Sequence, residues 1–488
     1  MRSGVTSRKA TLLLASLSRL LGIQVRKSSL AMNLDKSPRL AIRALISLAI
    51  ILTTPSIASA SWKEKVLYSF QGLPDGSVPT GGAVLDKHGN LYGATTDGGS
   101  SSCGGPFQCG TVYQVAPPAK KGDSWTETIV YVFLGKNHND GETPAGNVII
   151  DEAGNLYGTT AYGGTGTCIL LGENVGCGTV YELSPPSEKG GAWTETVLYS
   201  FPTAKQGYLP RGNLVFDSAG NLYGATQFGG GYGTTCNSLY LYCGAVFELS
   251  PPTTEGGKWK EKVLHGFRGG TDGANPNGGF IFDSKGAIYG TTQFGGFEGG
   301  DCGAGGCGTV FKLAPPTSKS SAWSEELLDR FDPGNSGAGE PEAGVTFGKN
   351  GDLYGTTFGG GNSGSGTIFE LAPGSNDKWK ERVLYHFRDG DDGGHPQSSL
   401  VFDSKGNLFG TASGGGAVGN GTIFRLRPTG DSWAFATVYQ FKLSPDGAYP
   451  TGSLIFDRAG NLYGITQYGG SGQMCGNFRC GTVFKVSP

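Results

Sequence analysis

The sequence predicts an all-β fold, a seven-bladed β-propeller with four antiparallel strands per blade, and three observations carry that prediction. The pentapeptide Gly89-Asn90-Leu91-Tyr92-Gly93 recurs around Tyr157, Tyr223, Tyr289, Tyr354, Phe409 and Tyr463, at spacings of 54 to 66 residues. The seven tryptophans, Trp62, Trp125, Trp193, Trp259, Trp323, Trp379 and Trp433, fall one to a unit. Each unit holds four short runs of β-branched and aromatic residues separated by Gly, Pro, Asn and Asp, the pattern of strands and turns. Radial repetition of four-stranded units without intervening helices is the pattern of a propeller of about four to eight blades. A linear β-solenoid has far shorter turns, and a flat array would leave two long sheet edges open to aggregation.

The third unit shows the expected order of strands: 213–217, 221–226, 244–249 and 259–267. The link Asp217-Ser218-Ala219-Gly220 has Asp at the first turn position and Gly where a positive φ is needed, so the first two strands should form a tight hairpin. The tryptophan-bearing run is the outermost strand, and its charged alternation, Lys63-Glu64-Lys65, suits an edge that must not pair with other molecules. Because the first such run, 62–70, has no blade before it, it should pair with the last strand, 481–487, and close the ring.

Residues 1–60 read as an export leader. Arg39 and Arg43 flank the apolar stretch Ala44 to Leu52, followed by Pro55 and Ala58-Ser59-Ala60, the n-region, h-region and cleavage pattern of a signal peptide. Cleavage after Ala60 is expected, and Met32 would give a leader of ordinary length. The leader takes nine of the 38 basic residues and one of the 40 acids, leaving net charge −10 on residues 61–488. Such a surface repels phosphate backbones, which argues against nucleic acid as a partner. No apolar run long enough to span a membrane follows Ala60, so a secreted, extracellular monomer is expected, with the periplasm or cell surface as alternatives.

All ten cysteines follow the leader, as five local pairs: Cys103 with Cys109, Cys168 with Cys177, Cys236 with Cys243, Cys302 with Cys307, and Cys475 with Cys480. In each, the second cysteine directly precedes the third strand, while the fifth and sixth units have shorter loops and no cysteine. Even, paired cysteines in an exported chain indicate disulfides rather than metal ligands.

Catalytic signatures are lacking. The histidines, His88, His138, His265, His386 and His395, occupy different places in different units with no metal-binding spacing, so no metal is assigned. No G-x-S-x-G elbow occurs. The aspartates ending the first strand, Asp86, Asp151, Asp217, Asp283, Asp403 and Asp457, read as turn formers that bond their own backbone. One face does collect polar and aromatic groups. The link from the outer strand to the next inner strand carries Asp-Gly and then Pro at Asp75, Asp140, Asp272, Asp392 and Asp446, and an aromatic before Gly-Gly leads into the cysteine loop at Tyr162, Phe228, Phe294, Phe358 and Tyr468. Alternating strand direction brings both to the same face. Asp-Gly and x-Pro are ordinary turn formers, but carboxylates beside aromatics also suit sugars or calcium.

At Gly154-Asn155-Leu156-Tyr157-Gly158-Thr159-Thr160 and Gly178-Thr179-Val180-Tyr181-Glu182-Leu183 the chain resembles the secreted tandem-repeat proteins of the GloVer-containing, choice-of-anchor family (Gloeo/Verruco repeat). The resemblance covers nearly all of residues 61–488 and implies bacterial export, often with a C-terminal anchoring segment; here the sequence ends directly on its last strand. The expected function is a binding or interaction module, for carbohydrate or cell-envelope material, with no cofactor required. The alternatives are an extracellular hydrolase or lyase with its site on the same face, or a purely structural surface protein.

Overall fold

The computed structural model describes residues 62–488 except 101–102, 104–108, 189, 231–242, 255, 297–301, 303–304, 319, 333–336, 376–377, 473–474 and 476–479. The leader assigned to 1–60 and Cys236 therefore lie outside the described residues. Seven antiparallel sheets of four or five strands make seven blades. In the first blade the order from axis to rim is Gly76–Leu85, Leu91–Gly98, Thr111–Ala116 and Thr126–Val132. The ring closes as the sequence predicts. Lys63–Ser69 pairs with Thr482–Ser487, from Lys63 opposite Ser487 to Ser69 opposite Thr482, and becomes the outer strand of the seventh blade.

The inner strand is longer than the sequence suggests. In the first blade it starts directly after Asp75 and includes Pro79, opposite Thr95, before its register shifts between Thr80 and Val84. In the third blade the same irregularity splits it into Tyr208–Pro210 and Val215–Phe216. The Asp-Gly-x-x-Pro segments are thus the first half of the inner strand rather than free loops. Proline survives there because the strand faces the axis, where its missing N–H interrupts no ladder.

Blades meet through aromatic pairs, which explains why tryptophan and the G-N-L-Y-G motif occur once per unit. Trp193 packs edge-on against Tyr92 of the preceding blade at 6.0 Å, Trp323 against Tyr223 at 6.3 Å, Trp379 against Tyr289 at 6.4 Å and Trp433 against Tyr354 at 5.7 Å. Trp62 meets Phe409 at 5.5 Å, so the sixth unit's phenylalanine keeps the contact. At the other end of the outer strand, Phe70, Phe133, Phe201, Phe267, Phe331, Phe387 and Phe441, all fully buried, stack edge-on or tilted against the third-strand aromatic of the next blade, as Phe267 does against Phe311 at 5.2 Å. Each such pair contributes about 0.5–1.5 kcal/mol beyond the area it buries.

The glycine before the third strand serves the same interface. At Gly308 φ is +92°, and a Cβ there would lie 2.6 Å from the Pro341 ring of the next blade and 2.8 Å from the Gln293 carbonyl. Neither backbone sign nor space admits a side chain. Gly308→Ala is expected to destabilise the protein by about 2–4 kcal/mol, measured by chemical denaturation; a loss within experimental error would show that the blades can separate without cost.

The cysteine expectation holds wherever it can be read. Cys103–Cys109, Cys168–Cys177, Cys302–Cys307 and Cys475–Cys480 are disulfides with Cα separations of 5.2–5.4 Å, and Cys243 is oxidised as well. The second cysteine's carbonyl also accepts an inter-blade hydrogen bond: Cys480 from Val78 at 3.0 Å, Cys109 from Thr143 at 3.0 Å and Cys243 from Asn275 at 2.9 Å. In the units without cysteine, Ser365 and Asn420 take that place, accepting from His395 and Tyr449. Among the described residues no helix is long and apolar enough to cross a membrane.

Candidate functional site

The first-strand aspartates are turn residues, as the sequence indicates. Asp86 Oδ1 accepts the backbone N–H groups of His88 and Asn90 at 2.8 and 2.9 Å, and Oδ2 accepts from the Asn90 amide at 2.7 Å.

The five Asp-Gly aspartates reach the expected face, since Gly76 lies opposite Gly98 at the cysteine-loop end of the sheet. Their carboxylates, however, are engaged within the fold. Asp75 accepts from the Tyr68 hydroxyl at 2.9 Å and the Gln71 N–H at 2.8 Å. Asp140 accepts from Tyr131 at 3.0 Å and Leu134 at 2.7 Å, and Asp392 from Tyr385 at 2.8 Å and Arg388 N–H at 3.2 Å. Asp446 accepts from the Tyr439 hydroxyl and from Lys442 N–H at 3.2 Å. Each tyrosine stands six residues after the unit's tryptophan, so the aspartate ties the end of the outer strand to the start of the next inner one.

A third member of this bracket escaped the sequence reading. A glutamate stands two residues after tryptophan at Glu64, Glu127, Glu195, Glu261, Glu325 and Glu381; from the outer strand of one blade Glu64, Glu127 and Glu195 approach the tyrosine of the blade before and the aspartate that it holds. Burial, reinforced by the adjacent Asp446, Asp75 or Asp140, pushes the carboxyl up to about 7 in Glu64 and Glu127 and about 8 in Glu195. The signal was present as a repeated W-x-E, but on an edge strand it resembled ordinary surface charge. The sixth blade confirms the contact by substitution: Phe435 replaces glutamate and stacks on Tyr385 at 3.8 Å and 7°.

One bracket differs in chemistry. Between the third and fourth blades His265 stands where five blades have tyrosine, and its Nε2 lies 3.8 Å from Asp272 Oδ1 and 3.6 Å from Glu325 Oε2. Donor atoms of all three residues fall within 4.8 Å of one another. The sequence treated His265 as incidental, because its partners are 7 and 60 positions away and only blade packing joins them.

The predicted aromatics divide. Tyr162 and Phe228 pack about Tyr208, at 6.3 and 6.0 Å, and Phe294 lies against Gly305. Phe358 instead stacks obliquely on His395 at 4.7 Å, and Tyr468 supports Tyr449 edge-on at 5.5 Å. Phe358, Asp389, His395, Gln397 and Tyr449 line a groove of 510 Å³ on the fifth to seventh blades. Gln397 also lines the axial cavity of 330 Å³, whose wall includes Arg211, Asn277, Glu342 and Gln467. There the Gln293 and Gln397 amides both donate to Glu342, the first at 2.8 Å, and burial holds its carboxyl above the usual range.

The groove and cavity are built on an unusual backbone. The residue before the inner-strand proline has positive φ in every blade: Val78, Thr143, Leu209, Asn275, Glu340, His395 and Tyr449, at 53–58°. Such conformations are disfavoured for non-glycine residues. The fold imposes one shape seven times while seven different side chains occupy it, so the scaffold constrains the backbone and leaves the side chain free to vary.

Solved structures similar to the chain include a protein of unknown function from Dyadobacter fermentans (13% identity, 78% of this chain and 98% of that one, TM-score 0.40). A gluconolactonase from Xanthomonas campestris (16% identity, 63% and 78%, TM-score 0.34) and a glucose dehydrogenase (16%, 87% and 99%, TM-score 0.41) are further matches. No curated protein matches the sequence. The family described as the Gloeobacter/Verrucomicrobia repeat matches residues 54–234 and 298–488, most of the chain and the same repeated strands that build the blades. The chain belongs to the Gloeobacter/Verrucomicrobia repeat family.

Proposed function

We propose that this protein is exported through its 1–60 leader and acts as a binding module for polyhydroxylated ligands, carbohydrate or cell-envelope glycan, at the groove of the fifth to seventh blades and the axial cavity that all seven blades line. One observation carries the reading: Gln397 lines both hollows, so an aromatic-walled groove and a polar cavity adjoin at one side chain. Sugar recognition needs an aromatic face for C–H surfaces and closely set carboxylates and amides for hydroxyls. Tyr449, 42% exposed, supplies the face, and Asp389, Gln397 and Glu342 supply the polar groups. Oxidised cysteines support an oxidising compartment. In this reading Phe358 and Tyr468 serve the site, while Asp75, Asp140, Asp392 and Asp446 hold the strands that carry it.

A glycan array probed with the purified protein, followed by titration calorimetry on the retained sugar, tests the proposal. Tyr449→Ala and Asp389→Ala are each expected to weaken binding by about tenfold or more, equivalent to 1.4 kcal/mol, while Asp86→Asn on the opposite side of the blade leaves it unchanged. Retention of no glycan, or equal affinity in all three variants, would sink the assignment.

A further inference from the structure

We infer that His265, Asp272 and Glu325 form a binding site for a divalent first-row transition ion, with Zn²⁺ as its representative. The site lies at the rim between the third and fourth blades, away from the groove proposed above. Its three side chains come from two blades: His265 ends one outer strand, Asp272 begins the inner strand that follows, and Glu325 reaches across from the next outer strand.

The geometry distinguishes this bracket from its equivalents. Where tyrosine occupies the histidine position, its hydroxyl donates to the aspartate at normal hydrogen-bond length, 2.8–3.0 Å at Tyr385, Tyr68 and Tyr131. His265 Nε2 is buried and has no hydrogen-bond partner, whereas the Oε1 of Glu325 is unpartnered just as it is in Glu64, Glu127, Glu195 and Glu261, and the His265 separations of 3.6 and 3.8 Å are too long for hydrogen bonds. They are close to the spacing of about 3.4 Å between ligands that each sit about 2.1 Å from a tetrahedral zinc ion. A desolvated imidazole nitrogen held slightly too far from two carboxylates to bond either is what a central cation would satisfy. An imidazole nitrogen with two carboxylates suits zinc and its neighbours and disfavours calcium, which takes oxygen ligands.

Three protein ligands leave a fourth position open, the arrangement of zinc sites that bind an exchangeable molecule. The three residues line a hollow of 810 Å³ together with Arg268, Trp323 and Arg330. The guanidinium groups favour an anionic fourth ligand, and the Arg330 Nε–H already donates to the Thr271 carbonyl at 3.0 Å, which fixes its side chain across the site.

The test is calorimetric titration of the chelator-treated, full-length protein with ZnCl₂, alongside Co²⁺ absorption spectra that report coordination number. The expected result is one Zn²⁺ per chain with Kd of about 1 µM or tighter, and an intense four-coordinate Co²⁺ band. His265→Tyr restores the residue of the other brackets and should fold; its affinity is expected to fall at least about tenfold. Glu325→Gln keeps the shape of the side chain; its affinity should fall similarly while the melting temperature does not drop. No saturable uptake by the wild type, or uptake that both variants retain, would overturn the site.

Discussion

Removing residues 62–69 is expected to abolish cooperative folding at 37 °C. This strand is the outer edge of the seventh blade yet comes from the opposite end of the chain, paired from Lys63–Ser487 to Ser69–Thr482. Leu67 and Phe70 are buried, at 7% and 0% exposure, and Phe70 packs edge-on against Tyr113 of the first blade at 4.9 Å. Trp62 covers Phe409 of the sixth blade. Each large apolar side chain withdrawn from water contributes about 1.5–3 kcal/mol, so Trp62 and Leu67 together with the lost ladder amount to a large share of the 5–15 kcal/mol typical of a folded domain. The deletion also bares the edge of Thr482–Ser487, a template for aggregation. Thermal denaturation and gel filtration of the deleted protein give the readout; a melting temperature within about 2 °C of wild type would mean that the ring does not depend on its closing strand.

Stability is expected to fall as pH rises from about 5 to 8. Glu64, Glu127 and Glu195 have folded-state values of about 7, about 7 and about 8, above the ordinary 4.5, because burial and then the adjacent aspartate disfavour the charge. A carboxyl raised on folding binds its proton more tightly in the folded state. Its contribution is therefore fully present below about pH 4.5 and is lost as pH climbs through 7 to 8. Partial exposure screens the effect, so about 1 kcal/mol per carboxyl is a fair expectation, and the melting temperature should drop by about 5 °C across this window. Glu127→Gln with Glu195→Gln should raise the melting temperature at pH 8 and flatten its pH dependence. A profile that instead rises toward pH 8 would show that these brackets form ion pairs with unrecognised cations.

How far the fold could be read in advance follows from where each signal resides. The G-N-L-Y-G motif, the lone tryptophan of each unit and the glycine before each third strand were visible because each serves a contact between blades that recurs around the ring, and repetition within one chain acts as its own comparison. Tyr92 with Trp193, or Gly308 with Pro341, repeats wherever two blades meet. The inner strand was harder, because its positive-φ residue before proline and its register shift break the alternation by which strands are recognised. Asp75 and its counterparts looked like free turn carboxylates because the tyrosine that engages each one lies on the preceding outer strand.

The sequence by itself determined the number of blades, their four-strand order, the local disulfides and the closure of the ring, all of which depend on contacts between neighbouring segments or on exact repetition. Only the tertiary structure decided which of the seven equivalent positions differ in consequence. Gln397 lines both the groove and the axial cavity, and His265 meets Glu325 across 60 residues, because the blades curve around a common axis. That curvature is set by packed aromatic interfaces, and no local pattern of residues records it.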